Sequence, residues 1–248
     1  MALVMLAGPG LAQRQGPQLL ADLSEPEVQI SYSFEGAELL VYGAIQYPPG
    51  RTPAADPRIA VVARGPLQEV VVRQKERVGG IWLNTRSARF NTAPAFLAVA
   101  TSRPVAELVD SRTADLWELG LDNIQLSPDV TQDPAATRAF VQGLLDERRR
   151  AGLYREEPRG VTISAGVLYR ARIVIPSVAP TGTYEVLVHL IEDGRVVATA
   201  PGGFEVRKVG FEARISRWAD RNRVAYGLAT IAMAGFAGWA ASLIGRRA

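Results

Sequence analysis

The end of the chain contains a run of 22 residues without a charged side chain, from Val224 to Gly245. As an α-helix this run would be about 33 Å long, and the hydrocarbon core of a bilayer is about 30 Å thick. A helix that is apolar on all sides must be covered by lipid or by a second layer of protein. The run therefore predicts one transmembrane helix over 224–245, which would attach the rest of the chain to a membrane.

Two features of this region suggest how the helix is placed. Small side chains recur at every fourth residue, which permits close approach of a second helix, for example from a membrane transporter. These candidate helix-packing residues are Thr230, Ala234, Gly238 and Ser242. The alternative is that alanine and glycine are simply abundant here. The preceding segment, 210–223, places large apolar residues on one helical face and arginines on others, which predicts an amphipathic juxtamembrane helix. A solvated basic helix is the alternative.

The first residues resemble the end of a secretory signal. Residues 1–12 form an apolar run that ends in Gly10-Leu11-Ala12, with small residues where a signal peptidase needs them. We interpret 1–12 as a truncated signal-like segment, with a disordered or core-packed terminus as the alternative. Basic residues are more numerous before the span than after it, which alone would favour a cytoplasmic domain. Because large domains translocate largely regardless of charge, we predict a single-pass inner-membrane protein with most of its chain in the periplasm.

Charge and composition exclude several functions. The net charge of +3 is accounted for by Arg223, Arg246 and Arg247 at the ends of the predicted span, so the remainder is formally neutral and nucleic-acid binding is not expected. The chain has no cysteine, which excludes disulfides, thiolate catalysis and cysteine-based metal sites.

The intervening residues predict a mainly β fold, with immunoglobulin-like β-sandwich units and a helical insert. Short apolar runs punctuated by glycine and proline indicate a β-sandwich unit over 25–104 and a second, immunoglobulin-like unit over 158–209. Asp193-Gly194 predicts a hairpin turn, and Pro180 to Tyr184 resembles a strand opening in which the tyrosine hydroxyl bonds to nearby backbone. Within the insert, 105–157, Asp133-Pro134 predicts a helix start.

Few residues in this sequence indicate chemistry. The motifs for nucleotide binding, zinc proteolysis and serine hydrolysis do not occur, and His189 is predicted to be structural. We therefore predict no catalytic, cofactor-binding or metal-ligating residue, and no cofactor. Basic and aromatic residues alternate in one region, which could form a cationic groove with an aromatic floor that binds a small oxyanion or a lipid headgroup. These candidate anion-binding residues are Arg73, Lys75, Arg77, Trp82 and Arg86. The wet face of a sandwich would show the same alternation.

Several segments carry a family likeness, among them "GPLQEVVVRQKERVGGIWLNTRSARFNTAPAFLAVATSRP" (65–104), "PTGTYEVLVHLIEDGRVV" (180–197) and "FEVRKVGFEARISRWA" (204–219). With the terminal span, the chain resembles the alphaproteobacterial putative transmembrane protein family. The resemblance implies an exported β-rich region with one C-terminal helix, and an association with sulfite-exporter-type permeases by gene neighbourhood. We therefore expect a membrane-anchored periplasmic interaction or accessory module. An anchored carboxylate-dependent hydrolase and an anion-sensing domain are the alternatives.

Overall fold

The computed structural model describes residues 16–30, 36–50, 56–126, 128–129, 134–208, 227–228, 231–236 and 238–239. Strands dominate this part of the chain. They are β1 (Gln18–Leu23), β2 (Glu27–Ile30), β3 (Gly36–Gln46), β4 (Arg58–Arg64), β5 (Leu67–Val78), β6 (Ile81–Pro94), β7 (Leu97–Thr101), β8 (Tyr154–Pro158), β9 (Val161–Ser164), β10 (Leu168–Pro176), β11 (Gly182–Glu192) and β12 (Arg195–Lys208). The predicted mainly β fold is confirmed.

Three helices and one 3-10 turn lie between β7 and β8. They are α1 (Val105–Leu108), α2 (Ser111–Leu116), the 3-10 turn (Leu121–Asn123) and α3 (Pro134–Arg150). The Asp110 carboxylate caps α2 by accepting a hydrogen bond from the Thr113 amide at 2.7 Å. As the sequence predicts, α3 begins at a proline, whose missing N–H has no helical partner to lose. The predicted cap of α3, Asp133, lies outside the described residues.

The two β regions of the sequence contribute strands to both larger sheets. A four-stranded sheet has the order β1-β3-β10-β9, and a six-stranded sheet has the order β2-β12-β11-β4-β7-β8. Strand β3 pairs with β10 and β4 with β11, so each sheet joins residues from both regions. Most pairs are antiparallel, but β2 with β12 and β7 with β8 are parallel. The two regions therefore share one hydrophobic core.

Strand β4 lies at the centre of this core. Its residues 59–63 are fully buried, because β4 sits inside the six-stranded sheet with protein on both faces. A strand covered on both faces reads as a continuous apolar run rather than an alternating one. The segment after α2 covers part of this sheet, where the Trp117 ring meets the His189 ring edge-on at 5.2 Å between centroids.

Two local predictions are confirmed at β11. The Tyr184 hydroxyl donates to the Pro180 carbonyl at 2.6 Å, and its ring stacks on Phe204 at 4.8 Å between centroids. At the other end, Asp193 and Gly194 connect β11 to β12 with φ angles of 49° and 74°. Two consecutive positive φ angles are typical of a type I′ turn, whose twist matches that of the flanking strands.

The structure describes little of the chain beyond β12. Residues 227–228, 231–236 and 238–239 are helical. Among the described residues, none of the helices combines the length and the apolar character needed to cross a bilayer. The segments 1–12 and 210–223 lie outside the described residues, as does most of the predicted span.

Candidate functional site

Strands β5 and β6 form one long hairpin. Its base continues the six-stranded sheet, and its tip extends beyond that sheet. Strand β4 pairs with β7 up to Arg64 opposite Leu97, and β5 pairs with β6 from Leu67 onward. Across the junction, the Gly65 amide donates to the Phe96 carbonyl at 2.9 Å and the Ala95 amide donates to the Pro66 carbonyl at 2.8 Å. The ladder is therefore continuous, although β5 and β6 pair with no further strand of the described chain.

The hairpin leaves the six-stranded sheet at the end where β12 also finishes. Gly182, the first residue of β11, is paired with Val206 of β12. It also faces Pro66, because a Cβ atom built on Gly182 would lie 3.0 Å from the Pro66 Cγ atom. Adjacent strands are about 4.8 Å apart, so the hairpin and the exit of β12 are separated by roughly two strand spacings. The chain thus leaves the body for its C-terminal segment beside the base of the hairpin.

Helix α3 supports the base of the hairpin on one face. A small buried cluster joins the two elements and consists of Ala88, Phe90, Ala93, Phe140 and Leu144. Val70 and Val72 of β5 pack against this cluster. We call the opposite side of the hairpin the open face. It carries Val71, Arg73, Lys75, Arg77 and Trp82.

The tip is formed by a two-glycine turn. Gly79 and Gly80 have φ angles of 58° and 91° between the paired residues Val78 and Ile81. Residues with a Cβ rarely adopt two such conformations in succession, so glycine is required here. The turn places three large apolar side chains at the far end of the ladder, which are Ile81 (62% exposed), Trp82 (68%) and Leu83 (44%). An exposed apolar tip of this kind indicates an interaction surface.

The structure brings together four of the five candidate anion-binding residues. Arg73, Lys75 and Arg77 alternate along β5 and so lie on one face, and Trp82 is directly opposite Arg77. Arg86 is opposite Gln74 and therefore lies on the other face, where it contacts Glu76 at 3.5 Å. All five are exposed, so the hairpin forms a ribbon rather than the expected groove. Anion binding stays a prediction.

The cations of the open face are not neutralised by neighbouring carboxylates. In the part of the chain that the structure describes, Arg73, Lys75 and Arg77 form no salt bridge, and the Arg77 side chain donates only to the Gly80 carbonyl at 3.4 Å. The nearby Arg89 does pair, with Glu69 at 3.5 Å. The open face therefore presents three positive charges that no described carboxylate neutralises, next to an apolar tip.

His189 has the structural character that the sequence predicts. Its imidazole is 1% exposed, and Nδ1 lies 3.0 Å from the Thr199 hydroxyl oxygen. Burial, together with the nearby Arg64 guanidinium, lowers the pKa of His189 from 6.5 to about 4. Arg64 is itself held by Glu118 at 2.5 Å. The imidazole is thus neutral at physiological pH and packed inside the sheet.

Three carboxylates line a cleft beside α1 and α2, and each has a structural partner. Asp110 caps α2, which lowers its pKa through the Thr113 hydrogen bonds. Asp122 contacts Arg149 at 2.9 Å, and Glu156 accepts from the Leu121 amide at 2.9 Å. Among the described residues, no cluster of three potential metal ligands occurs. Each carboxylate of this cleft is thus engaged in a structural contact, and the hydrolase hypothesis stays a prediction.

Sequence reasoning treated Trp82 as the floor of a groove and missed the exposed tip. The available signal was Gly79-Gly80 between two strand-like runs, which is a hairpin turn pattern. It predicts that Ile81, Trp82 and Leu83 follow a turn at the end of a ladder. Whether anything covers such a ladder cannot be read from the pattern.

Comparison with protein-family models gives a match over most of the chain. A family model with the description "Putative transmembrane protein (Alph_Pro_TM)" matches residues 18–247. This range contains both larger sheets, the hairpin and all of the C-terminal uncharged run. No curated protein matches the sequence.

Proposed function

This chain belongs to the family described as "Putative transmembrane protein (Alph_Pro_TM)", and from that membership we propose that it is a membrane-tethered accessory module. In this proposal, the helix over 224–245 crosses the inner membrane once and the β body lies in the periplasm as an immunoglobulin-like scaffold. Two features support the proposal: the uncharged run is long enough to span a bilayer, and the Tyr184 hydrogen bond resembles the corner of immunoglobulin-like sandwiches.

The exposed hairpin is the observation that supports an interaction role for this chain. Its ladder extends past the sheet, and its tip exposes three large apolar side chains where a soluble monomer would normally bury them. It also emerges beside the exit of β12, which leads to the proposed tether. The geometry favours a module that is held at a membrane and presents a surface there.

We further propose that the partner is a membrane transporter of the sulfite-exporter type, contacted through the stripe of Thr230, Ala234, Gly238 and Ser242. Small residues on one side of a helix favour close packing in lipid. Of these four, Ala234 and Gly238 are described, and both are exposed in the described helical residues.

Purification in mild detergent from native membranes tests this proposal. The tagged full-length chain should retain a transporter, and Gly238→Ile should abolish the association. Ala232→Ile is the control, because it places an isoleucine about 80° or more around the helix from every residue of the stripe. Recovery of the chain as a lone monomer, or equal loss with both variants, would contradict the proposed partner.

A further inference from the structure

We propose that the hairpin contacts the headgroup region of an anionic lipid bilayer, with the tip inserted and the open face against the lipid phosphates. This inference rests on the proposed membrane tether and goes beyond it, because it assigns a second contact with the membrane to a different part of the chain. Four observations carry it.

The tip has the composition of an interfacial anchor. Ile81 and Leu83 are aliphatic, and between them Trp82 has an amphipathic ring of the kind that is enriched at membrane–water boundaries. The two-glycine turn keeps these residues at the end of a narrow ribbon, in which alternate backbone groups pair across the ladder and the others point outward. Because the outward-pointing backbone groups need water or other polar partners, such a tip fits the hydrated headgroup region rather than the hydrocarbon core.

The charges lie where the phosphates of an anionic bilayer would be. Residues 73–87 contain four basic side chains and one acidic side chain, Glu76, which contacts Arg86 on the other face. This leaves Arg73, Lys75 and Arg77 on the open face, at intervals of roughly 7 Å along the strand. Positive side chains near an anionic surface are attracted to it. Of these three, Arg77 lies directly opposite Trp82, and Lys75 and Arg73 follow towards the base of the hairpin.

The position of the hairpin agrees with such a contact. Strand β12 ends at Lys208 on the side of the sheet from which the hairpin emerges, and the chain continues from there to the proposed span. The part of β5 from Arg73 to Arg77 extends for roughly 17 Å beyond the segment that α3 supports. A body that is tethered beyond Lys208 therefore holds the hairpin on its membrane-proximal side.

The size of the tip favours lipid over a protein partner. A stable protein interface buries about 800 Å² on each side and is usually broad. The tip offers three apolar side chains on a two-stranded ribbon, and the cations beside it lack carboxylate partners among the described residues. A narrow apolar end with three cations on one adjacent face is suited to a fluid, anionic surface.

The absence of cysteine allows a direct test with single labels. The full-length chain carrying Ile81→Cys, which preserves Trp82, is labelled with an environment-sensitive fluorophore and reconstituted into vesicles. The control label is at Val197→Cys, near the opposite end of β12 and also exposed (39%). The vesicles are phosphatidylcholine alone, or phosphatidylcholine and phosphatidylglycerol in equal parts. Quenching is measured with lipid-attached nitroxide and with aqueous iodide.

In the anionic vesicles, we expect lipid nitroxide to quench the label at 81 several-fold more than the label at 197, with the reverse order for iodide. The combined variant Arg73→Gln, Lys75→Gln and Arg77→Gln should reduce lipid quenching at 81 to the level in neutral vesicles. A second variant, Arg112→Gln, Arg170→Gln and Arg195→Gln, removes the same charge outside the hairpin and should leave the quenching unchanged.

Three results of the quenching experiment would overturn the inference even if the tether is correct. One is equal quenching at 81 and 197 in the anionic vesicles. The second is loss of lipid quenching at 81 with inorganic phosphate but not with chloride of equal ionic strength, which would indicate a small-oxyanion site. The third is protection of the label from iodide only when other native membrane proteins are present, which would indicate a protein partner. Flotation of the chain with the vesicles reports on the tether separately. If the chain does not float, the proposed tether fails and this inference fails with it.

Discussion

At the scale of single residues, His189 makes the stability of the folded core depend on pH. Its ring is packed between neighbouring strands and the edge of Trp117, and its Nε2 atom has no hydrogen-bond partner among the described residues. Protonation would place a positive charge in this apolar environment, near the guanidinium of Arg64. The native state therefore disfavours the imidazolium form.

We predict that acidification destabilises the fold through His189. The pKa of His189 is lowered to about 4 in the folded state from 6.5, so the unfolded chain binds a proton that the native chain does not. The stabilisation is fully present above pH 6.5 and is lost as the pH falls towards 4, by on the order of 3 kcal/mol. Urea unfolding in mild detergent at several pH values measures this.

His189→Gln provides the comparison for this measurement, because the carboxylates contribute equally to the pH dependence of stability in both proteins. The variant should show a shallower loss of stability over the same pH range. Equal slopes for both proteins would show that His189 does not titrate in this window.

Tyr184→Phe should destabilise the fold by about 1 to 2 kcal/mol. The substitution removes the hydroxyl that donates to Pro180 and leaves that carbonyl without this donor, while the ring packing is retained. Tyr42→Phe is the control, since the Tyr42 hydroxyl is exposed and makes a longer hydrogen bond of 3.3 Å to Asp22. Its expected effect is within about 0.5 kcal/mol. Equal effects in denaturant titrations would contradict a specific role for the Tyr184 contact.

At the scale of elements, the hairpin changes character along its length. In β4 and β7 the ladder is buried on both faces, at the base of β5 and β6 only the face against α3 is covered, and beyond Val72 both faces are largely exposed. Helix α3 therefore determines where the supported part ends. Its contact residues Phe140 and Leu144 are buried, although the helix lies outside the two larger sheets.

Leu144→Ala should loosen the base of the hairpin. Leu144 is fully buried against Phe90 and Ala88, and truncation of such a residue costs about 2 to 5 kcal/mol through lost burial and a residual cavity. Hydrogen exchange of β5 and β6 should accelerate more than that of β11. Gln142→Ala, on the exposed side of the same helix, is the control and should change neither rate. Uniform acceleration in all strands would show that α3 does not support the hairpin separately.

At the scale of the whole molecule, both sheets depend on strands that are distant in sequence. Strand β3 pairs with β10 and β2 with β12, so the β regions before and after the helices must be ordered together. The described body has its core between Leu19 and Val206. The proposed tether follows this core in the sequence and can be tested independently of it.

We predict that the full-length chain fractionates with membranes and that deletion of 224–245 releases it to the aqueous fraction. About 20 apolar residues are more stable in hydrocarbon than in water, whereas the proposed hairpin contact adds only about 1 kcal/mol for each of its cations and does not replace a span. In spheroplasts, externally added protease should degrade the β body, as expected for a periplasmic domain. A cytoplasmic marker protein should remain intact. Protection of the body in intact spheroplasts would reverse the proposed orientation.

Part of the fold and of the site could be predicted from the sequence because the signals are local. The start of α3 at Pro134 and the turn at Asp193-Gly194 follow from backbone preferences of a few neighbouring residues. The strand at 154–158 was missed, because it pairs with β7 in parallel after a long helical excursion. In β5, alternation predicted one wet face and one covered face, and the structure shows that the cover ends with α3.

The sequence by itself determined most of the segments that become strands and helices, where the sharp turns fall, and that the excess positive charge lies at the ends of the uncharged run. These properties depend on dihedral preferences and on residues within a few positions of one another. Only the tertiary structure decided that Arg86 faces away from Arg77, that His189 is neutral, and that the hairpin leaves the sheet beside the end of β12. Those outcomes depend on which distant segments cover each face, and residue periodicity contains no information about that.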